Sequence, residues 1–222
     1  MKIPQCEISA ISDAEILLVA GGRRPDEKFF KAVAQGKKIF AVDKGIEICK
    51  ECNILPKVLI GDFDSAESAA VNWAIENKIP IERHPVEKDF TDTQLALELL
   101  PKNSSVIVTG IFGGRIDHLF SNIFTCANYQ NIFLADERET IFYVKGGESV
   151  EVKFFEKPFA VSLFPITETC EGVTTENLHW ELFNATLKQN LPNAISNRAE
   201  TAEIKISVKR GTLAIYFSFL AS

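Results

Sequence analysis

No apolar run in this chain approaches the ~18 residues that a membrane-spanning helix requires. Its first residues, M-K-I-P-Q-C-E-I-S, lack the basic-then-apolar layout of a secretory leader, so a cytoplasmic protein is expected. Positive charge is also scarce, with 24 Lys plus Arg against 30 Asp plus Glu and a net charge of -6. Nothing electrostatic therefore draws the chain to nucleic acid or to an anionic membrane, and an anionic ligand would need a local cation. The five cysteines are an odd number without framework spacing, as expected of free thiols in a reducing compartment. Cys49-Lys50-Glu51-Cys52 has neither a second pair nor a nearby histidine to complete a zinc site, and reads as a helical turn with Cys49 packed inward. The phosphate loop G-x-x-x-x-G-K-[ST] and the dinucleotide fingerprint G-x-G-x-x-G are both absent.

What is present is an ordinary globular composition, 222 residues with 46% hydrophobic and 24% charged, enough for one large domain or two modest ones. Up to about residue 140, apolar strand candidates (16–20, 38–42, 58–60, 106–109, 132–135) alternate with helix candidates (26–35, 46–52, 66–77, 92–100, 117–128). That alternation predicts a parallel sheet covered by helices. Beyond it come β-rich runs, S-V-E-V-K-F-F, F-A-V-S-L-F, H-W-E-L-F, A-E-I-K-I-S-V and L-A-I-Y-F-S-F, broken by Gly, Pro and Asn, with Gly146-Gly147 as a turn near the boundary. The predicted class is α/β: an N-terminal parallel-sheet (Rossmann-like) domain over residues 1–140, then a C-terminal antiparallel β-sandwich over 141–222.

Within the first part, K-V-L-I-G-D-F-D-S ends a strand in two carboxylates. An extended chain would send Asp62 and Asp64 to one side and Phe63 back toward the core. Ligands of doubly wound sheets collect at the carboxyl ends of strands. There the sequence places Asp43-Lys44-Gly45, Gly61-Asp62-Phe63-Asp64-Ser65 and G-I-F-G-G-R-I-D-H, with Lys88, Asp89 and Asp92 just ahead of a helix. Each piece has a plainer reading: Ser65 as a helix cap, Thr91-x-x-Gln94 as a capping box, Gly113-Gly114 as a tight turn, His118 as a core histidine. Capping explains neither Asp43 nor Asp62, nor the company of Lys88 and Arg115. Carboxylates without a Cys or His cage are hard oxygen donors suited to Mg²⁺ bridging protein acids and a polyphosphate.

G-D-F-D-S, E-K-D-F-T-D-T-Q-L-A-L and G-G-R-I-D-H-L-F-S-N-I, in this order and spacing, resemble the thiamine pyrophosphokinase (thiamine diphosphokinase) family. The resemblance continues into N-L-H-W-E-L-F and I-S-N-R-A, and so covers nearly the whole chain. It implies an α/β catalytic domain, a β-sandwich that helps bind thiamine, and a homodimer with active sites between subunits. Its reaction moves a pyrophosphoryl group from ATP to the thiamine hydroxyl, giving thiamine diphosphate and AMP. Asp43, Asp62, Asp64, Asp89 and Asp92 then fall at the Mg²⁺-ATP end, the first four of these as metal ligands. Lys44, Lys88, Thr91, Gln94, Arg115, Asp117 and His118 fall around the nucleotide, with Arg115 the expected phosphate contact. Trp180, Ser196 and Asn197 match the thiamine side, where an indole face suits a flat cationic heterocycle and Ser or Asn can hydrogen-bond an aminopyrimidine.

The chain departs from the family pattern at two places: Val42-Asp43-Lys44-Gly45 replaces Ala-Asp-Gly-Gly, and Gln94 stands where an acid is usual. Two other readings share the acidic rim. One is an ATP-dependent phosphotransferase acting on another hydroxylated heterocycle; the other is a non-catalytic thiamine- or nucleotide-binding protein.

Overall fold

The computed structural model describes residues 1–9, 11–84, 90–101, 103–191 and 193–220. Its elements run β1 (Cys6–Ile8), β2 (Ile16–Val19), α1 (Glu27–Ala34), β3 (Lys38–Val42), α2 (Gly45–Glu51), β4 (Val58–Gly61), α3 (Ser68–Glu76), β5 (Ile81–Arg83), α4 (Asp92–Glu98), β6 (Val106–Thr109) and α5 (Ile116–Cys126). Strands follow: β7 (Ile132–Ala135), β8 (Glu139–Lys145), β9 (Ser149–Phe154), β10 (Ala160–Pro165), β11 (Thr169–Glu176), β12 (Ala185–Lys188), β13 (Glu203–Ser207) and β14 (Thr212–Ser218). The chain forms two compact units, Ala14–Gln130 and Met1–Asp13 with Asn131–Ser222. The sequence reading divides the chain near 140, whereas the units divide after Gln130. The reason lies in the pairing: β7 is antiparallel to β8, and β1 is antiparallel to β9, so both early strands belong with the later ones.

In the unit Ala14–Gln130, five strands lie in the order β6-β2-β3-β4-β5, with parallel register throughout. β2 and β6 are buried at every position, the signature of strands covered on both faces, and they read as unbroken apolar runs for that reason. Helix α1 begins where the Asp26 carboxylate accepts from Lys28 and Phe29 N–H, at 2.8 and 3.1 Å, and buries Phe29, Phe30 and Val33. The chain steps outward from β2 through β5 and returns on the other side of β2 as β6. This reversal leaves a crevice beyond the carboxyl ends of β2 and β6.

The other unit holds two antiparallel sheets, ordered β1-β9-β13-β11-β12 and β7-β8-β14-β10. β9 alternates exposed and buried residues, as a strand with one wet face must. Phe133 stacks on Phe142 at 5.4 Å, Phe142 meets Phe217 at 5.5 Å, and Phe154 of the first sheet meets Phe217 of the second edge-on at 5.0 Å. Gly146-Gly147 forms the turn between β8 and β9. One expected strand is absent: H-W-E-L-F, residues 179–183, is irregular. Asn177 and Asn184 bracket it with positive φ of 64° and 49°, which breaks the extended path at both ends. No helix among the described residues is long and apolar enough to cross a membrane.

Candidate active site

At the reversal point, Gly22 N–H donates to Gly110 O and Arg23 N–H to Phe112 O, each at 2.6 Å. These bonds tie the loop after β2 to the loop after β6. The crevice they help shape holds about 560 Å³, within the size range of small-molecule sites. Into it converge Asp43 and Lys44 after β3, Asp62, Asp64 and Ser65 after β4, Thr91 and Asp92 at the start of α4, and Arg115 and His118 around the start of α5.

The two acidic residues after β4 reach the crevice by a route other than an extended strand. Gly61 has φ +141° and Phe63 φ +67°, so the chain turns at once, and Asp64 N–H donates to Asp62 Oδ1 at 3.0 Å. Phe63 is half-buried rather than part of the core, and its ring carries the Arg83 guanidinium at 5.3 Å. Asp43, itself at φ +45°, accepts from Phe63 N–H at 3.4 Å. A Cβ on Gly61 would stand 1.9 Å from Asp43 Oδ1; glycine is what lets β4 end beside that carboxylate. Ser65 lines the crevice instead of capping a helix, because α3 starts only at Ser68 with Glu67 before it.

Lys44 occupies an ordinary helical conformation, φ -58° and ψ -17°, so its backbone accepts a side chain without strain. Its departure from a glycine pattern thus adds a cation to the crevice at no conformational cost. Arg115 is exposed and holds Asp117 with two bonds, 3.1 and 2.6 Å. The guanidinium's hydrogen bonds keep the Asp117 carboxyl well down, at about 2. Asp117 itself does not line the crevice, and neither does Gln94. Gln94 completes the capping box instead: its Oε1 accepts from Thr91 N–H at 2.8 Å and its Nε2 donates to the Thr125 hydroxyl at 3.2 Å. A carboxylate at 94 could accept but not donate. His118 is exposed, not a core histidine. Lys88 and Asp89 lie outside the described residues.

Trp180, Ser196 and Asn197 belong to the other unit. Trp180 is 58% exposed, with the Arg198 guanidinium 5.5 Å from its ring and the His179 edge at 4.6 Å. Asn197 is buried and devotes its amide to the loop that carries the indole. Its Oδ1 accepts from Trp180 N–H at 3.1 Å and Arg198 N–H at 2.8 Å, while its Nδ2 donates to Trp180 O at 2.8 Å. Ser196 sits at φ +57°, with its N–H on the Ser162 hydroxyl at 3.0 Å.

Sequence reasoning passed over Gly21, Gly22 and the buried Asn122, all of which line the crevice. The signal was available for the first two, since Gly21-Gly22-Arg23-Arg24 follows an apolar strand as the other rim loops do.

A glycine-lined, acid-bearing crevice at the reversal point of a parallel sheet marks the chain as an α/β protein with its ligand crevice at the carboxyl ends of the strands. The chain matches the family described as thiamin pyrophosphokinase, catalytic domain, over residues 29–134, and as thiamin pyrophosphokinase, vitamin B1 binding domain, over 150–213. Thiamine pyrophosphokinase of Bacillus subtilis (strain 168) is 30% identical over 179 residues, spanning 78% of this chain and 83% of the relative. The chain belongs to the thiamine pyrophosphokinase family, whose enzymes transfer the pyrophosphoryl group of ATP to the hydroxyl of thiamine. Solved structures agree. Thiamine pyrophosphokinase from Bacillus subtilis superposes with a TM-score of 0.79 at 25% identity, covering 93% of this chain and 99% of that one. The Geobacillus thermodenitrificans thiamin pyrophosphokinase gives 0.80 at 25% identity, covering 93% and 98%.

Proposed function

We propose that the crevice of the Ala14–Gln130 unit is where this chain holds ATP for transfer to thiamine, with Asp43, Asp62, Asp64 and Asp92 at its polyphosphate end. The observation that carries the reading is their convergence, from separate loops, in one crevice with Lys44 and Arg115. In the reaction the thiamine hydroxyl attacks the β-phosphorus; a new O–P bond forms, the bond from the β-phosphorus to the AMP oxygen breaks, and the hydroxyl proton passes to a base. Asp92 is the described carboxylate we assign to that role, with Asp89 the alternative. Lys44 and Arg115 neutralise phosphate charge, and the crevice fixes the line of attack.

The donor set suits Mg²⁺, since the lining offers carboxylate oxygens and no thiolate. Among the described residues no three acidic, histidine or cysteine side chains already form a metal cage. Mg²⁺ commonly keeps several waters and substrate phosphates in its shell. Asp43, Asp62 and Asp64, with Asp89, would hold it, and when bound it would supply charge neutralisation at the polyphosphate. The other unit, a β-sandwich in this reading, offers the exposed Trp180 face to the thiamine ring, with Asn197 and Ser196 shaping that loop.

We further propose a cytoplasmic homodimer. Ile116, Phe120 and Phe124, four residues apart on α5, are 69, 56 and 44% exposed, an apolar stripe suited to a second copy, and the five cysteines are free thiols.

The test is product formation from thiamine, ATP and Mg²⁺, with AMP and thiamine diphosphate quantified together and the assay repeated without metal. Equal, metal-dependent yields are expected. AMP without thiamine diphosphate, or transfer only to another heterocyclic alcohol, would overturn the substrate assignment; binding without product would make the chain a non-catalytic member.

A further inference from the structure

We infer that Glu47, a residue outside the crevice lining, is a positioning residue that locks three rim loops in register. This rests on the crevice being the nucleotide site. The Glu47 side chain is only 11% exposed, and a carboxylate so nearly buried must find strong partners. It has two, drawn from different loops. Its Oε2 accepts from the Arg24 guanidinium, which also reaches Glu51, and its Oε1 accepts from Glu67 N–H at 3.1 Å.

Arg24 belongs to the loop that begins Gly21-Gly22 after β2. Glu67 closes the segment that begins Asp62-Phe63-Asp64 after β4. Glu47 itself sits one turn beyond Asp43-Lys44. Each of these segments puts residues into the crevice, so one carboxylate fixes the spacing of backbone and acids that must meet a polyphosphate together. Arg24 and Glu51 are 44 and 43% exposed, and their pairing alone would be a weak surface contact. The near-burial of Glu47 and its bond to a backbone N–H distinguish this cluster from such a pair.

Transfer chemistry depends on positioning, and a displacement of about 1 Å by a residue remote from the reacting atoms can cost up to about 10²-fold. The experiment compares parent, Glu47→Ala, Glu47→Gln, Arg24→Ala and Arg24→Lys. Each is measured for melting temperature, for KM of ATP and of thiamine separately, for kcat, and for the calorimetric Kd of α,β-methylene-ATP, whose bridging carbon blocks the transfer. Glu47→Ala and Arg24→Ala are expected to weaken nucleotide analogue binding and kcat/KM for ATP by about tenfold or more, with the KM of thiamine within twofold. Glu47→Gln, which keeps an acceptor for Glu67 N–H, is expected to recover part of the loss. Arg24→Lys cannot reach both acids with one fork and should fall between parent and Arg24→Ala.

Folded variants whose analogue Kd stays within twofold of the parent would overturn the inference. So would an equal loss for both substrates that tracks the melting temperature. If Glu47→Ala does not fold, the half-exposed Arg24 substitutions decide the matter. An inactive parent that still binds the analogue would refute the proposed transfer and leave this inference to be judged on Kd alone.

Discussion

In the proposed transfer, Asp62 joins a chemical role at the crevice to a hydrogen bond that another side chain could make. Its Oδ1 accepts the Asp64 N–H, a bond that an asparagine Oδ1 would keep, while the negative charge facing the crevice would vanish. Asp62→Asn should therefore lower kcat by on the order of 10²- to 10³-fold, the cost typical of losing one preorganised electrostatic group, with little change in melting temperature. Steady-state kinetics beside thermal denaturation checks both halves, and a folded variant with parental turnover would remove Asp62 from the machinery. The identity of the rim acids was legible because glycine and acid follow an apolar run at one strand end after another. The turn by which Asp62 and Asp64 both reach the crevice was not. It depends on positive φ at Phe63, a conformation that an aromatic residue does not advertise.

Among the elements, α4 is short, Asp92–Glu98, and short helices rely on their ends. Thr91 caps it through its hydroxyl, 3.2 Å from Gln94 N, while Gln94 links the cap to Thr125 on α5. Thr91→Ala should cost about 1 kcal/mol, within the usual 0.5–2 for such caps. Because Thr91 and Asp92 line the crevice, it should also weaken nucleotide binding; urea denaturation and analogue titration test the two effects separately. Unchanged stability would mean that Gln94 alone holds this helix start. The capping box was readable from Thr91-x-x-Gln94, and the buried parallel strands from their continuous apolar runs. The three-residue β1 and β5 were not, being too short to show a period. The 179–183 run failed for a different reason: its backbone partners are split between a distant loop, with His179 N–H on Arg198 O and Trp180 N–H on the Asn197 side chain, and Thr175 of β11, whose N–H donates to Leu182 O, an arrangement invisible to local pattern.

Across the whole molecule, the cysteines tie stability to alkaline pH. Cys6, Cys49 and Cys126 are wholly buried, Cys6 in one compact unit and the other two in the second. Burial disfavours the thiolate, pushing Cys6 up to about 12 and Cys49 and Cys126 upward as well, from an ordinary value of 9.0. The folded values thus lie above the unfolded ones. Below pH 9 both states keep these protons and the thiols' contribution to stability is fully present. As pH rises past 9 the unfolded chain releases protons that the native chain retains, so unfolding becomes progressively easier. Each buried thiol can contribute a slope of at most about 1.4 kcal/mol per pH unit. Denaturant titrations at intervals from pH 8 to 10.5 should show stability flat at first and then falling in the transitions of both units. Cys126→Ala should offset the curve by a pH-independent packing cost and flatten its alkaline limb by one thiol's share. A parental slope in that variant would mean that the alkaline loss comes from groups other than Cys126, such as the growing repulsion within a chain already at net charge -6.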